Sequence, residues 1–177
     1  MIPWNLLGHR LTAFERITAM LPDNCVILET GTIREPGNWI GDGQSTVVWD
    51  HYAGVKSGHV TTIDLDPGCA ELVERMNLQN TTAFTGDSLQ VIPTLDLQHV
   101  DFLYLDSFDV DFANPQPASE HHLAELKLCL HLLTSGSIVA VDDNRNGDGK
   151  GTAVAAHMAE HNIPEIVSGY VRVWRLQ

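Results

Sequence analysis

Residues 60–76 read VTTIDLDPGCAELVERM, and this stretch decides the fold. Val60 to Leu65 is a short run of apolar and β-branched residues, the pattern of a strand buried on both faces. Asp64 and Asp66 punctuate its end, and Pro67 then suits the first turn of a helix reaching Met76. The same alternation extends outward in both directions. Upstream, Leu11 to Met20 carries apolar residues at helical spacing and stops before Pro22. Cys25 to Leu28 reads as the first strand and Gln44 to Tyr52 as a helix. Downstream, strands are expected at Thr81 to Phe84, Phe102 to Leu105 and Ser137 to Val141. Helices are expected at Ser88 to Ile92, Ala118 to Leu133 and Thr152 to Glu160. The tail, EIVSGYVRVWRLQ, holds two apolar runs around Ser168-Gly169, a hairpin pattern. The expectation is a single α/β domain over residues 1–177. It is a doubly wound, mostly parallel, seven-stranded Rossmann-like sheet with a C-terminal antiparallel hairpin.

Composition narrows the partners. The chain has 177 residues and a formal charge of -13, from 23 acids against 10 Lys plus Arg. Such a surface repels a phosphate backbone and anionic lipid, so neither a nucleic-acid interface nor a membrane surface is expected. A cationic or neutral small ligand, or a divalent metal, suits it. No apolar run approaches the ~20 residues of a membrane span. The start, MIPWNLLGHR, lacks the basic and apolar regions of a secretory signal. Cys25, Cys69 and Cys129 read as buried thiols in a reducing cytoplasm. Oligomeric state is not legible, and a homodimer is compatible with the sequence.

In a doubly wound sheet, ligands bind beyond the carboxyl ends of the strands. Here those ends read Glu29-Thr30-Gly31-Thr32, Asp64-Leu65-Asp66, Gly86-Asp87-Ser88, Asp106-Ser107 and Asp142-Asp143-Asn144. A rim this acidic needs a cation or strong hydrogen-bond donors. A dinucleotide would need a glycine loop, but Ile33 and Pro36 stand where glycines are wanted, and Glu29, Glu35 and Asp42 repel phosphate. S-adenosylmethionine, a sulfonium and ammonium without phosphate, fits better. Gly31 lets the backbone approach its methionyl part, Asp64 can accept both ribose hydroxyls, and Asp87 and Ser88 can edge the adenine.

On these motifs the sequence resembles the class I S-adenosylmethionine-dependent methyltransferases, in their metal-dependent catechol O-methyltransferase-like group. VTTIDLDPGCAELVERM is similar to that group's second motif, TGDSLQVIPTL to its third, VDFLYLD to its fourth, and VDDN to the Asp-Asn pair ending its fifth strand. The likeness runs from about Cys25 to Asn144. It implies cofactor contacts at Glu29, Gly31, Asp64 and Ser88, and Thr32, Ser45, Asp87 and Asp106 are further cofactor candidates at the same strand ends and loops. It also implies a divalent metal, usually magnesium, at Asp106, Asp143 and Asn144. Two carboxylates and an amide oxygen on adjacent strand ends form the hard oxygen set that magnesium accepts. Asp142 would point to the opposite side. The implied activity is methyl transfer to a small-molecule hydroxyl. The alternatives are a metal-independent methyltransferase, a hydroxylase-like enzyme, or a non-catalytic S-adenosylmethionine-binding protein on the same scaffold.

Two departures matter. Ten residues, Ile33 to Asp42, separate Thr32 from Gly43-Gln44-Ser45-Thr46 where the group has few. Trp39 and Ile40 in that insertion are expected to wall or cover the substrate. The group's basic lysine, three residues beyond the Asp of strand four, is Asp109 here. His121 and His122, in the first turns of the long helix, are the candidates for a replacement base. Gly147 to Gly151 (GDGKG) fits a flexible approach to the next helix as well as it fits an anion loop.

Overall fold

A computed structural model describes residues 2–41 and 44–177; the readings made for Asp42 and Gly43 fall outside the described residues. Among the described residues, nine strands and six α-helices follow in order. They are α1 (Leu11–Met20), β1 (Val26–Thr30), α2 (Ser45–Lys56), β2 (His59–Asp64), α3 (Pro67–Arg75), β3 (Thr81–Thr85) and α4 (Ser88–Val91). Then come β4 (Val100–Leu105), α5 (Gln116–Cys129), β5 (Leu133–Val141), β6 (Asn144–Arg145), β7 (Asp148–Gly149), α6 (Thr152–Glu160), β8 (Glu165–Val167) and β9 (Arg172–Arg175). Seven strands form one sheet in the order β3-β2-β1-β4-β5-β9-β8. The first five are mutually parallel, and β9 and β8 run antiparallel, as the sequence led us to expect.

Both faces of the sheet are covered, which explains its near-continuous apolar strands. Alternate residues feed two cores. Ile27, Phe102, Tyr104, Ile138 and Ala140 face α1 and α2. Leu28, Leu103, Leu105, Val139 and Val141 face α5 and α6. Trp49 of α2 anchors the first core, with ring centroids 4.5 Å from Phe14, 4.9 Å from Phe102 and 5.3 Å from Tyr104. The three cysteines are buried free thiols. Among the described residues, no helix is long and apolar enough to cross a membrane.

Element edges differ from expectation where tertiary contacts intervene. β1 continues through Glu29 and Thr30, because Thr30 pairs with Ile63 and Leu105 across both neighbouring strands. The long helix ends at Cys129, since Leu133 pairs with Val100 in the sheet. The small β6–β7 hairpin was not anticipated. Asn146 and Gly147 at its tip have φ of 53° and 85°, the left-handed pair that closes a two-residue hairpin.

Candidate active site

The order of strands reverses at β1, which lies between β2 and β4. The carboxyl ends around that switch enclose a cleft. One recess, of about 420 Å³, is lined by Gly31, Thr32, Ser45, Asp64, Asp106 and Ser107, among others. A second, of about 270 Å³, is lined by Asp64, Asp87, Ser88, Phe108 and His121, among others. The two share Asp64, Leu65 and Ser107. Seven of the eight residues that the sequence suggested for a cofactor therefore line these two adjoining recesses.

Asp64 stands at the junction, its carboxylate already oriented. Oδ2 accepts from Thr32 N–H at 2.9 Å and Oδ1 from Asp66 N–H at 2.9 Å. Each oxygen keeps a lone pair for a ligand hydroxyl. Gly31, at φ +84°, packs so tightly on β4 that an added Cβ would lie 2.5 Å from the Asp106 carbonyl oxygen.

Glu29 is the eighth residue, and it corrects the expectation of direct contact. It is 0% exposed and lines neither recess. Ser45 donates to its Oε1 at 2.7 Å, and Thr46 and Thr62 donate to its Oε2 at 2.8 Å each. Thr32 and Thr62 share a hydroxyl bond of 2.7 Å. Glu29 thus ties down Ser45 and Thr32 from beneath the floor. Burial pushes its pKa up to about 7 against the pull of the three hydroxyls.

At the other end, Asp87 caps α4 by accepting from Leu89 N–H at 2.9 Å. The Ser88 hydroxyl lies 3.2 Å from His121 Nε2. His121 reaches Glu125 Oε1 at 3.3 Å and packs against Phe108, with centroids 5.2 Å apart. The Glu125 bond raises the His121 pKa, against the opposing effect of burial. This histidine, a candidate base in the sequence, lines the Asp87–Ser88 recess. His122 is corrected more plainly. It is 0% exposed, its Nδ1 lies 2.6 Å from the Ala118 carbonyl, and burial pushes its pKa down to about 4. It is a neutral core residue with no path to a substrate. Glu125, buried on the same helix, accepts from Thr30 and Ser107 as well, and so joins three elements.

The β4–β5 edge differs most from expectation. Lys150 places its ammonium 2.5 Å from Asp106 Oδ1 and 2.9 Å from Asp143 Oδ2. Burial opposes its charge, but the Asp106 and Asp143 carboxylates outweigh burial and raise its pKa above the ordinary lysine value. Tyr170 donates its hydroxyl to Asp143 Oδ1. Asn144 is equally committed: Oδ1 accepts from Gly151 N–H at 2.8 Å, and Nδ2 donates to the Val141, Asp142 and Tyr170 carbonyls. The expected magnesium set therefore does not fit. The amide is spent on backbone, and an ammonium stands between the two carboxylates. Asp142 turns to the opposite layer, where it accepts from Arg10 Nε at 2.6 Å and Tyr104 Oη at 2.8 Å.

Beyond this edge lies a chamber of about 850 Å³, lined by residues including Arg10, Ile40, Arg145, Tyr170 and Arg172. Ile40 is 78% exposed there, and Trp39 packs against the first core. Arg172 is paired with Glu165, and Arg10 with Asp142. Arg145 lies 4.0 Å over the Phe112 ring and has no acidic partner among the described residues. Asp106 lines the cleft and Tyr170 the chamber, and the chain Asp106–Lys150–Asp143–Tyr170 links the two. Neither Lys150, Glu125, Arg10 nor Tyr170 was singled out from sequence. Only the glycines around Lys150 and the helical spacing of His121 and Glu125 carried a signal.

Comparison with known proteins agrees with this geometry. The profile of a family described as "Methyltransferase domain" matches residues 39–144, more than half of the chain. No curated protein matches the sequence. Among solved structures, SMU.1697c of Streptococcus mutans, proposed to be a methyltransferase and solved with SAH, superposes with a TM-score of 0.64 at 15% identity, covering 99% of both chains. CalS11, a TDP-rhamnose 3'-O-methyltransferase of calicheamicin biosynthesis, gives 0.63 at 20%, over 97% of this chain and 78% of that one. The O-methyltransferase NovP gives 0.65 at 15%, over 94% and 80%.

Proposed function

Since this chain belongs to the methyltransferase-domain family and is an S-adenosylmethionine-dependent methyltransferase, we propose that it methylates a hydroxyl oxygen of a small molecule held in the chamber beside Tyr170. The observation that carries the reading is Asp64 at the junction of two recesses, its carboxylate held by two backbone N–H groups and open to a ribose diol. Around it, Asp66 and Asp87 add negative charge that favours a cation and opposes phosphate, while Asp106 and Asp109 are paired with Lys150 and Arg34. In this reading the methionyl part of the donor lies by Gly31 and Asp106, and the adenine lies by Ser88, Phe108 and His121. Two of the structural neighbours described above are O-methyltransferases, which agrees with an oxygen acceptor.

The chemistry is a single displacement. A lone pair of the acceptor oxygen forms the new bond to the methyl carbon as the sulfonium leaves as a thioether, and the hydroxyl proton passes to solvent water. Opposite partial charges are lost, so a dry, positioned encounter favours it. Ile40 of the insertion, at the chamber, is the chain's contribution to that closure, and Arg145 favours an acceptor that carries an acidic group. Calorimetry with S-adenosylmethionine and S-adenosylhomocysteine tests the donor, and a methyl-release assay over acidic and neutral hydroxyl compounds tests the acceptor. Binding of both nucleosides, with methyl transfer to a hydroxyl, is expected. Heat with NAD or ATP and none with the sulfonium donor would overturn the reading.

A further inference from the structure

Lys150 reaches the strand edge through a loop built for it. The hairpin turn at Asn146-Gly147 reverses the chain directly after β5, so that β7 lies back along β6, with Asn144 opposite Gly149 and Arg145 opposite Asp148. Gly149 has φ +138°, and a Cβ there would collide with the Asp143 carbonyl. A Cβ on Gly151 would stand 2.8 Å from Asn144 Oδ1. Only glycine on either side lets the lysine backbone approach this closely. The side chain is 1% exposed, and its ammonium donates to Asp106 Oδ1 and to the Asp106 carbonyl at 3.3 Å and forms an ion pair with Asp143 Oδ2.

We propose that Lys150 is a built-in cation that occupies the place between Asp106 and Asp143 where a divalent ion would otherwise bind, and that it positions both carboxylates without metal. Magnesium needs oxygens at about 2.0–2.1 Å in a near-octahedral shell. An ammonium already within hydrogen-bond distance of both carboxylates excludes that shell by volume and by like charge. Lys150 is a positioning residue: it holds Asp106 on the cleft side and Asp143, with Tyr170, on the chamber side. Its claim on activity rests on the proposed methyl transfer; its claim on metal binding does not.

The test uses the full chain and manganese as the probe, read by electron paramagnetic resonance. All proteins carry His157→Ala, which removes a separate cluster of His157, Glu160 and His161 that could take up the ion. The chain with Lys150 intact is expected to leave the free-manganese signal unchanged at millimolar ion and to keep its methyl transfer within twofold in excess chelator. Lys150→Ala is expected to take up about one manganese per chain, and Lys150→Ala with Asp143→Ala to lose it. A folded Lys150→Ala chain that binds no manganese overturns the assignment. So does uptake by the lysine-containing chain that Asp143→Ala abolishes, or loss of its activity on chelation. If Lys150→Ala does not fold, Lys150→Met, which fills the volume without charge, should raise KM and lower kcat together. In that case the two measurements on the lysine-containing chain still decide the matter. If no methyl transfer is found at all, the manganese measurements stand alone, so failure of the functional reading remains distinguishable from failure of this one.

Discussion

Gly31 and the main chain of Asp106 touch so closely that β1 and β4 leave no room for a side chain between their ends: a Cβ on Gly31 would lie 2.5 Å from the Asp106 oxygen. The φ of +84° adds a second penalty for any L side chain. Gly31→Ala is therefore expected to destabilise the protein by about 2–4 kcal/mol. It should also weaken S-adenosylhomocysteine binding at least tenfold. Thermal unfolding and calorimetry on the same sample check both; an unaltered melting temperature would show that the two strand ends can part freely.

Asp64→Asn keeps the shape but removes the charge, and the amide offers one oxygen to two backbone donors. One of Thr32 and Asp66 N–H then loses its acceptor. Cofactor affinity should fall roughly 10- to 100-fold, the worth of hydrogen bonds to a charged group, at a stability cost near ~1 kcal/mol. Calorimetric titration separates the two effects. Full affinity in the variant would place the ribose elsewhere.

His121→Ala separates an adenine-side residue from a base. Its contacts are Ser88, Glu125 and Phe108. Binding of S-adenosylhomocysteine should weaken a few-fold while kcat stays within about threefold, whereas loss of a general base typically costs 10²–10⁴ in rate. Steady-state kinetics at saturating donor distinguish these outcomes.

Two buried groups give opposing pH dependences. Burial depresses His122 to about 4 in the fold, so its contribution is present above its unfolded value near 6.5 and is lost as pH falls toward 4. Burial raises Glu29 to about 7, so its contribution is complete below its unfolded value near 4.5 and is lost as pH rises through 7. Between those limits the two slopes oppose each other. Glu29→Gln removes one of them. The variant's stability should therefore gain on that of the parent as pH rises from about 4.5 to 7, by up to ~3 kcal/mol over the interval. Chemical denaturation of both proteins across that range reads the difference; parallel curves would mean that Glu29 is ionised throughout.

The sheet was legible because its strands are short apolar runs with acids, glycines or prolines at their ends, and because β-α-β crossovers allow few topologies. Asp64, Asp87 and Ser88 could be located for the same reason: they follow strands that burial defines. What escaped was set by long-range geometry. Nothing local distinguishes Glu29, under the floor, from Asp64, in the cleft; three hydroxyls from α2 and β2 make the difference. His121 and His122 are adjacent on a helix, and one turns to the cleft while the other turns to the core. That Lys150 stands between Asp106 and Asp143 could not be read locally, because it lies 44 residues from Asp106 in the chain, and only the glycines beside it hinted that its backbone comes so close to the strand end.

Arg10 and Asp142 are separated by 132 positions, yet each completes the other's charge in the interior. During synthesis the arginine emerges long before its acid exists, and closing so long a loop carries an entropic toll that nearby contacts cannot defray. Arg10 therefore gains its native partner only once the fifth strand has been laid into place. A chain trimmed past its tenth residue would leave the Asp142 carboxylate with the Tyr104 hydroxyl and the Asp143 N–H but without a cation.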